Sequence, residues 1–139
     1  MDFSYAITPF IAWLTAGILK FVVNSVRAGK PAFGLIGYGG LPSNHSAIVS
    51  STAALIALKE GISHPAFGVA FGLAFVVMLD ANSLRKQVGR QAEAINHVLG
   101  KGDVNWAPLR ERIGHTKVEI GAGVLVGIAV AAIVQRGVG

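Results

Sequence analysis

The sequence predicts an all-α protein, a polytopic membrane helix bundle with about four spans and an additional polar helical segment. Hydrophobic residues make up 53% of the 139 residues and charged residues only 14%, whereas soluble domains usually carry about 25% charged residues. The apolar residues fall into four separate runs close to the length that crosses a bilayer. The chain length suits one domain, so we expect residues 1–139 to form a single membrane-embedded unit.

The first two predicted spans differ in composition. Phe3–Val23 carries Lys20 as its only charge and measures roughly 30 Å as a helix, the thickness of a bilayer core. No Lys or Arg precedes this run and no small-residue cleavage site follows it, which disfavours a signal peptide. After a polar connection, Asn24–Tyr38, the second span runs from about Pro42 to Leu58 and is rich in Ser, Thr and Ala. Such residues favour close helix packing, so we expect this helix to be the most buried.

The third and fourth predicted spans are shorter. Pro65–Leu79 follows a tight turn, and Val118–Val134 is interrupted only by Glu119. Both runs carry glycines at the small-xxx-small spacing of closely packed membrane helices, namely Gly68 and Gly72, and Gly123 and Gly127. Short spans with these glycines leave a homodimer open. Between the two spans, Ala81–Gly100 is polar and helix-prone, either a helical extension beyond the membrane or a helix on its surface.

The charge distribution predicts the orientation in the membrane. Lys and Arg concentrate in the first and third connections: Arg27 and Lys30, then Arg85, Lys86, Arg90, Lys101, Arg110, Arg112 and Lys117. The positive-inside rule therefore makes this side cytoplasmic, with both termini outside, as for a multi-pass protein of the inner membrane. The net charge of +5 suits anionic lipid, but the apolar runs leave no long basic face, so we expect no nucleic-acid partner. Cysteine is absent, which excludes disulfides and thiolate metal sites.

The segment from Gly39 to Ala47, with the sequence Gly-Gly-Leu-Pro-Ser-Asn-His-Ser-Ala, predicts an anion site. The glycines allow a turn that a ligand can approach closely, and Ser43 or Asn44 can cap the following helix. Free N–H groups and the positive end of the helix dipole collect at such a helix start. His45 therefore places an acid–base group beside an anion-binding site, a combination that phosphoryl transfer requires.

Further charged residues carry two interpretations each. His115 and Glu119 share a helix face, so the carboxylate either orients the imidazole or belongs to a capped helix that enters the membrane. Asp80 beside Arg85 suggests an ion pair that positions the arginine, the alternative being a solvated charged face that also includes Lys86 and Arg90. Lys20 and Arg27 share a face if the first helix continues, either as phosphate ligands or, for Arg27 especially, as a basic belt at the membrane interface. No ligand spacing requires a metal, and we expect no cofactor.

Together these motifs resemble the type 2 phosphatidic acid phosphatase and vanadium-dependent haloperoxidase superfamily, and most closely its small divergent membrane branch. The resemblance rests on three blocks in order: Gly39 to Ala47, Asp80-Ala81-x3-Arg85-Lys86-x2-Gly89-x-Gln91-Ala92, and Gly114-His115-Thr116-x2-Glu119. It implies that His115 is the nucleophile, Glu119 its orienting partner and His45 the general acid. It also implies that Lys20, Arg27, Ser43 and Asn44 bind phosphate.

The chain departs from the superfamily pattern at several positions. Asn44 stands where glycine is usual, Ala28 where proline is usual, and Glu119 where aspartate is usual. The usual Ser-Arg pair before the last histidine is replaced by Pro108 and Leu109. We expect Arg85, with Asp80 beside it, or else Arg110, to supply the second phosphate-binding arginine.

The predicted function is metal-independent hydrolysis of a lipid phosphomonoester through a phosphohistidine, on the cytoplasmic side of the membrane. The substrate would be a lipid of the inner leaflet, of the phosphatidylglycerophosphate or phosphatidate type. The alternative is a non-catalytic membrane protein that binds anionic lipid headgroups or a partner. Haloperoxidase chemistry through bound vanadate is disfavoured by the small size and the lipid setting.

Overall fold

The computed structural model describes residues 2–33, 40–101, 107–111 and 113–138. These residues form five helices and no strands: α1 (Ser4–Ala28), α2 (Asn44–Glu60), α3 (Pro65–Asn82), α4 (Leu84–Leu99) and α5 (Lys117–Val138). The all-α helix bundle is therefore confirmed, and the polar segment is helical as α4. A turn at Ser83 separates α3 from α4.

Three stretches of helix are long and apolar enough to cross a membrane: α1, the α3–α4 stretch and α5. The expected number of about four spans thus becomes three by length and composition. With 17 residues and a sequence rich in Ser and Ala, α2 falls outside these limits. It nevertheless accompanies α1 along its length, because Asn44 lies beside Gly17 at one end while Lys59 Nζ lies 2.6 Å from Asp2 Oδ2 at the other. It is thus an internal helix of the bundle rather than a lipid-facing one.

The burial of α2 follows from its small side chains. It packs against α1, α3 and α5, which confirms it as the most buried helix. Its buried residues are Ser46, Ala47, Val49, Ser50, Ser51, Ala53 and Leu55. The hydroxyls of Ser50 and Ser51 donate hydrogen bonds to carbonyls of the preceding helical turn, so these polar groups are satisfied inside the bundle.

The ends of the helices differ from the apolar runs. The first helix ends at Ala28, not at Val23, because polar residues can continue a helix and the stop comes from Gly29, whose φ of 65° few other residues adopt. Asn24–Tyr38 is therefore helical in its first five positions, and 34–39 lie outside the described residues. Likewise α3 reaches Asn82 and α5 reaches Val138, past the predicted ends at Leu79 and Val134.

The glycines of α5 allow its contact with α2. A Cβ at Gly123 would overlap the carbonyl of Ser43, and one at Gly127 would overlap the Ser50 hydroxyl. The predicted close packing is thus confirmed for α5 but not for α3, whose Gly68 and Gly72 have no described atom within 4 Å of a Cβ. The two helices run parallel, with both N-termini at the same end of the bundle.

We predict that Gly127→Ala destabilises the protein by about 1–3 kcal/mol, because the added methyl overpacks the α2–α5 contact. Gly121→Ala on the same helix is the matched control, since its Cβ would meet nothing within 4 Å, and alanine favours a helix interior by up to about 1 kcal/mol. Thermal unfolding in detergent measures both variants. Equal stability of the two would contradict the packing described for α5.

Candidate active site

The N-terminus of α2 is fixed by Ser43. Its hydroxyl accepts hydrogen bonds from the Ser46 amide (3.4 Å) and the Ser46 hydroxyl (3.1 Å), so of the two predicted candidates Ser43, and not Asn44, is the N-cap. Its own amide donates to the Glu119 carbonyl at 2.9 Å. Gly40, with φ of 143°, lies against the Asn24 side chain, while Gly39 lies outside the described residues. The motif therefore connects the starts of α2 and α5.

The start of α5 is a capping box built from Thr116 and Glu119. The Thr116 amide donates to Glu119 Oε2 at 2.8 Å, and the Glu119 amide donates to Thr116 Oγ1 at 3.2 Å. The same Oε2 lies 3.3 Å from His115 Nδ1. One carboxylate therefore caps the helix and contacts the imidazole, a geometry compatible with both interpretations of Glu119.

The two histidines of the distant sequence blocks lie side by side. The ring centroids of His45 and His115 are 6.4 Å apart, with an interplanar angle of 56°. His115 is buried, only 7% exposed, whereas His45 is exposed and its Nε2 lies 3.4 Å from Nη2 of Arg85. Glu119 contacts His115 through Nδ1, so Nε2 is the ring nitrogen that faces away from this carboxylate.

Arg85 reaches His45 from the start of α4. Its Nε lies 3.2 Å from Asp80 Oδ2, so the predicted ion pair is confirmed and Asp80 holds the guanidinium from behind. A backbone hydrogen bond from His115 to the Ala81 carbonyl, 2.9 Å long, brings the last block against the end of α3. Gly114 allows this approach for two reasons. Its φ of 102° is one that few other residues adopt, and a Cβ added at this position would crowd the Arg85 Cβ at 3.3 Å.

These side chains surround a cavity of about 700 Å³. Its polar wall is formed by Lys20, Asn24, Asn44, His45, Arg85, Arg110 and His115. Its apolar wall includes Trp13, Leu14, Ile18, Phe21, Phe33, Ile48 and Ile113. The cavity thus combines cationic and hydrophobic side chains in one lining, the combination expected for an amphiphilic anion.

Four predicted residues lie outside the lining of this cavity. Ser43 and Glu119 stand behind the histidines as a cap and a partner, and Asp80 stands behind Arg85. Arg27 does share a face with Lys20, because α1 continues to Ala28, but its side chain is exposed in the last turn of the helix. Its position fits the basic-belt interpretation.

Sequence reasoning missed the apolar wall and Asn24. Trp13, Gly17 and Asn24 recur at helical spacing on the face of α1 that carries Lys20, and this periodicity was the available signal. For the missing motif arginine, both candidates line the cavity, Arg85 from α4 and Arg110 from the segment before α5. Within the described ranges no group of three or more His, Cys, Asp or Glu is placed to hold a metal.

Burial lowers the pKa of the His115 imidazole below its ordinary value of 6.5, and the hydrogen bond to Glu119 opposes this by raising it. A lowered pKa means that the ring is neutral at pH 7. If the Nδ1 proton points at Glu119, the lone pair of the neutral ring lies on Nε2, the arrangement that a nucleophile requires.

We predict that Glu119→Gln lowers the pKa of His115 further, because the amide keeps a cap for Thr116 but removes the negative charge that favours the imidazolium. Thr116→Ala is the matched control, since it removes half of the capping box, at a cost of about 1 kcal/mol in stability, and keeps the carboxylate. Titration of the histidine ring carbons by NMR in detergent measures both. An equal pKa in Glu119→Gln and the parent protein would contradict the contact.

Comparison with known proteins agrees with this architecture. Residues 2–130 match the divergent PAP2 family. An uncharacterized membrane protein of Bacillus subtilis (strain 168), YuiD, is 29% identical over an alignment that covers 88% of this chain and 87% of that protein. No solved structure matches the chain. With its apolar helices and a family match over nearly all of its length, the protein is an integral membrane protein that belongs to the divergent PAP2 family.

Proposed function

We propose that this protein is a membrane phosphatase that hydrolyses a lipid phosphomonoester through a phosphohistidine intermediate. The observation that carries the proposal is the meeting of His45 and His115, with 6.4 Å between ring centroids, in the wall of one cavity. Two imidazoles at this separation can stand on either side of one phosphoryl group. Family membership supports the reaction class, and the apolar wall of the cavity supports a lipid substrate.

In the first step, Nε2 of neutral His115 attacks phosphorus, and an N–P bond forms as the P–O bond to the lipid alkoxide breaks. Burial and the neighbouring Arg85 guanidinium lower the pKa of His45 in the unliganded protein, and the negative charge of a bound phosphate opposes this by favouring the imidazolium. In the complex with substrate, protonated His45 donates its proton to that alkoxide, which leaves as an alcohol. Glu119 accepts a hydrogen bond from Nδ1–H and stabilises the positive charge that the ring acquires. In the second step, water attacks phosphorus and passes a proton to His45, and inorganic phosphate leaves His115.

The charge of the phosphoryl oxygens is balanced by groups already in the cavity wall. Lys20 and Arg85 supply positive charge there, and the N-terminus of α2 presents free amides and the positive end of its dipole. Oδ1 of Asn44 is buried without a hydrogen-bond partner among the described residues, so it can accept a hydrogen bond from the attacking water. Preorganised charges of this kind supply the largest part of phosphoryl-transfer catalysis.

The proposed substrate is a lipid of the cytoplasmic leaflet, of the phosphatidate or phosphatidylglycerophosphate type. The cavity lies at the end of the bundle where the Lys- and Arg-rich connections meet, and the positive-inside rule favours the cytoplasm for that end. Arg27, exposed on the last turn of α1, would attract anionic headgroups to the entrance. No step of this mechanism uses a metal, so we propose activity that a chelator leaves unchanged.

A second candidate is a non-catalytic protein that binds anionic headgroups. One observation favours it: the shortest hydrogen bond of Glu119, at 2.8 Å, goes to the Thr116 amide and not to His115. In that case the carboxylate serves mainly the helix start. This candidate predicts lipid-phosphate binding that survives the loss of either histidine.

We predict that His115→Ala lowers phosphate release by at least about a thousandfold, because the nucleophile is lost. His97→Ala is the matched control, since His97 is exposed on α4 and does not line the cavity. Release is measured from a panel of lipid phosphates in detergent, with and without chelator. Unchanged turnover in His115→Ala would end the catalytic assignment.

We predict that Arg85→Ala lowers kcat/KM by about a hundredfold or more, because a charge that contacts the transferring phosphoryl group is lost. Lys86→Ala removes the same charge from the next position of α4, where the side chain is exposed, and should change kcat/KM by less than about threefold. The same assay measures both variants. Equal losses in the two would show that only the net charge of α4 matters.

A further inference from the structure

A second cavity adjoins the active-site cavity between α1 and α2. It has a volume of about 360 Å³ and is lined by Pro9, Phe10, Trp13 and Ile48, which are all apolar. Trp13 and Ile48 also line the active-site cavity. These two residues therefore lie where the two spaces meet, and we call this pair the partition.

The two cavities follow α1 from its cationic end towards the opposite face of the membrane. About 10 Å of helix separates Lys20 from Trp13, and about 22 Å separates Asn24 from Pro9. The whole groove thus reaches across more than half of a ~30 Å hydrocarbon core. From Lys20 towards the N-terminus of α1, the lining side chains are apolar, and Gly17 contributes no side chain.

We propose that this groove holds one hydrocarbon chain of the phosphomonoester lipid, and that Trp13, together with Ile48, sets the chain length that is preferred. The inference rests on the proposed function for the headgroup, which occupies the cationic end. An apolar groove that begins at Lys20, Arg85 and two imidazoles is complementary to an amphiphile with an anionic head. A short hydrocarbon chain ends within the first cavity, before the partition at Trp13. A longer chain reaches the partition and has to displace the Trp13 side chain to enter the second cavity.

Gly17 gives the groove its open floor. A Cβ at this position would have only Asn44 Nδ2 near it, at 3.7 Å, an ordinary contact. A leucine there would extend into the first cavity, between the partition and the histidines. The position therefore offers a variant that shortens the groove, opposite in effect to removal of Trp13, whose side chain is 53% exposed and can be truncated without emptying a core.

The test compares an octanoyl and a palmitoyl phosphatidate with glycerol phosphate, which has the headgroup alone. We expect Trp13→Ala to raise the palmitoyl-to-octanoyl ratio of kcat/KM about tenfold, since hydrophobic pockets discriminate chains by such factors. We expect Gly17→Leu to lower turnover of both lipids relative to glycerol phosphate. Leu19→Ala, a lipid-facing truncation on α1 that lines neither cavity, should leave the ratio within about twofold.

A second arm measures binding without catalysis. Phosphonate analogues of the two lipids are titrated against the parent protein, Trp13→Ala and Leu19→Ala in detergent, with native mass spectrometry as the readout. The affinity ratio should shift in Trp13→Ala in the same direction as the kinetic ratio. A shift in binding with no phosphate release from any substrate would uphold the groove and reject the phosphatase. A ratio that is unchanged in Trp13→Ala, or equally changed in Leu19→Ala, would overturn the inference even if phosphate is released.

Discussion

One backbone hydrogen bond joins the two histidine-bearing blocks: the amide of Ser43 donates to the carbonyl of Glu119 at 2.9 Å. It fixes the first turn of α2 against the first turn of α5. The close approach depends on Gly123, where a Cβ would overlap the Ser43 carbonyl. His45 and His115 each lie within a few residues of this bond. The distance between the two rings is therefore set by backbone contacts, without a direct hydrogen bond between the imidazoles.

The second support of the site comes from α4. The segment before α5 runs back along this helix, and Asn96 holds it by accepting from the Leu109 amide at 2.9 Å and donating to the Leu109 carbonyl at 2.8 Å. Gly89 is needed for the approach, because a Cβ there would overlap the Glu111 carbonyl. The polar helix therefore positions both His115, through the segment that precedes it, and Arg85, which it carries. These contacts give the polar helix a structural part in the site although it lies outside the apolar runs.

The apolar pattern of the sequence was enough to predict α1, α2, α3 and α5. Each of these helices places its apolar side chains either against another helix or on the outer surface of the bundle, so each corresponds to an apolar run. The burial of α2 followed from its serines and alanines, which suit contact with protein rather than lipid. The Asp80–Arg85 ion pair followed from spacing at a helix end. The predicted end of the first helix at Val23 was wrong. Hydropathy marks the end of the apolar run, whereas the conformation of Gly29 marks the end of the helix.

The rest of the site could not be read from the sequence, since it depends on contacts between distant segments. Spacing alone could not show that Glu119 both caps α5 and contacts His115. Nor could it separate Lys20, in the cavity wall, from Arg27, which shares its helix face but is exposed one turn beyond the cavity. The partition at Trp13 depends on Ile48 of another helix, and only the packing of α1 on α2 brings the two together.

The most direct test of the account is to trap and locate the phosphoryl-enzyme. The protein is mixed with a lipid phosphomonoester labelled with radioactive phosphate, quenched in alkali, where phosphohistidine survives, and digested for mass spectrometry. We expect label on the peptide that contains His115, and more of it in His45→Ala when the substrate has an activated leaving group, because the second step then lacks its base. Rapid release of phosphate with no label on His115, or with label on another residue, would contradict it.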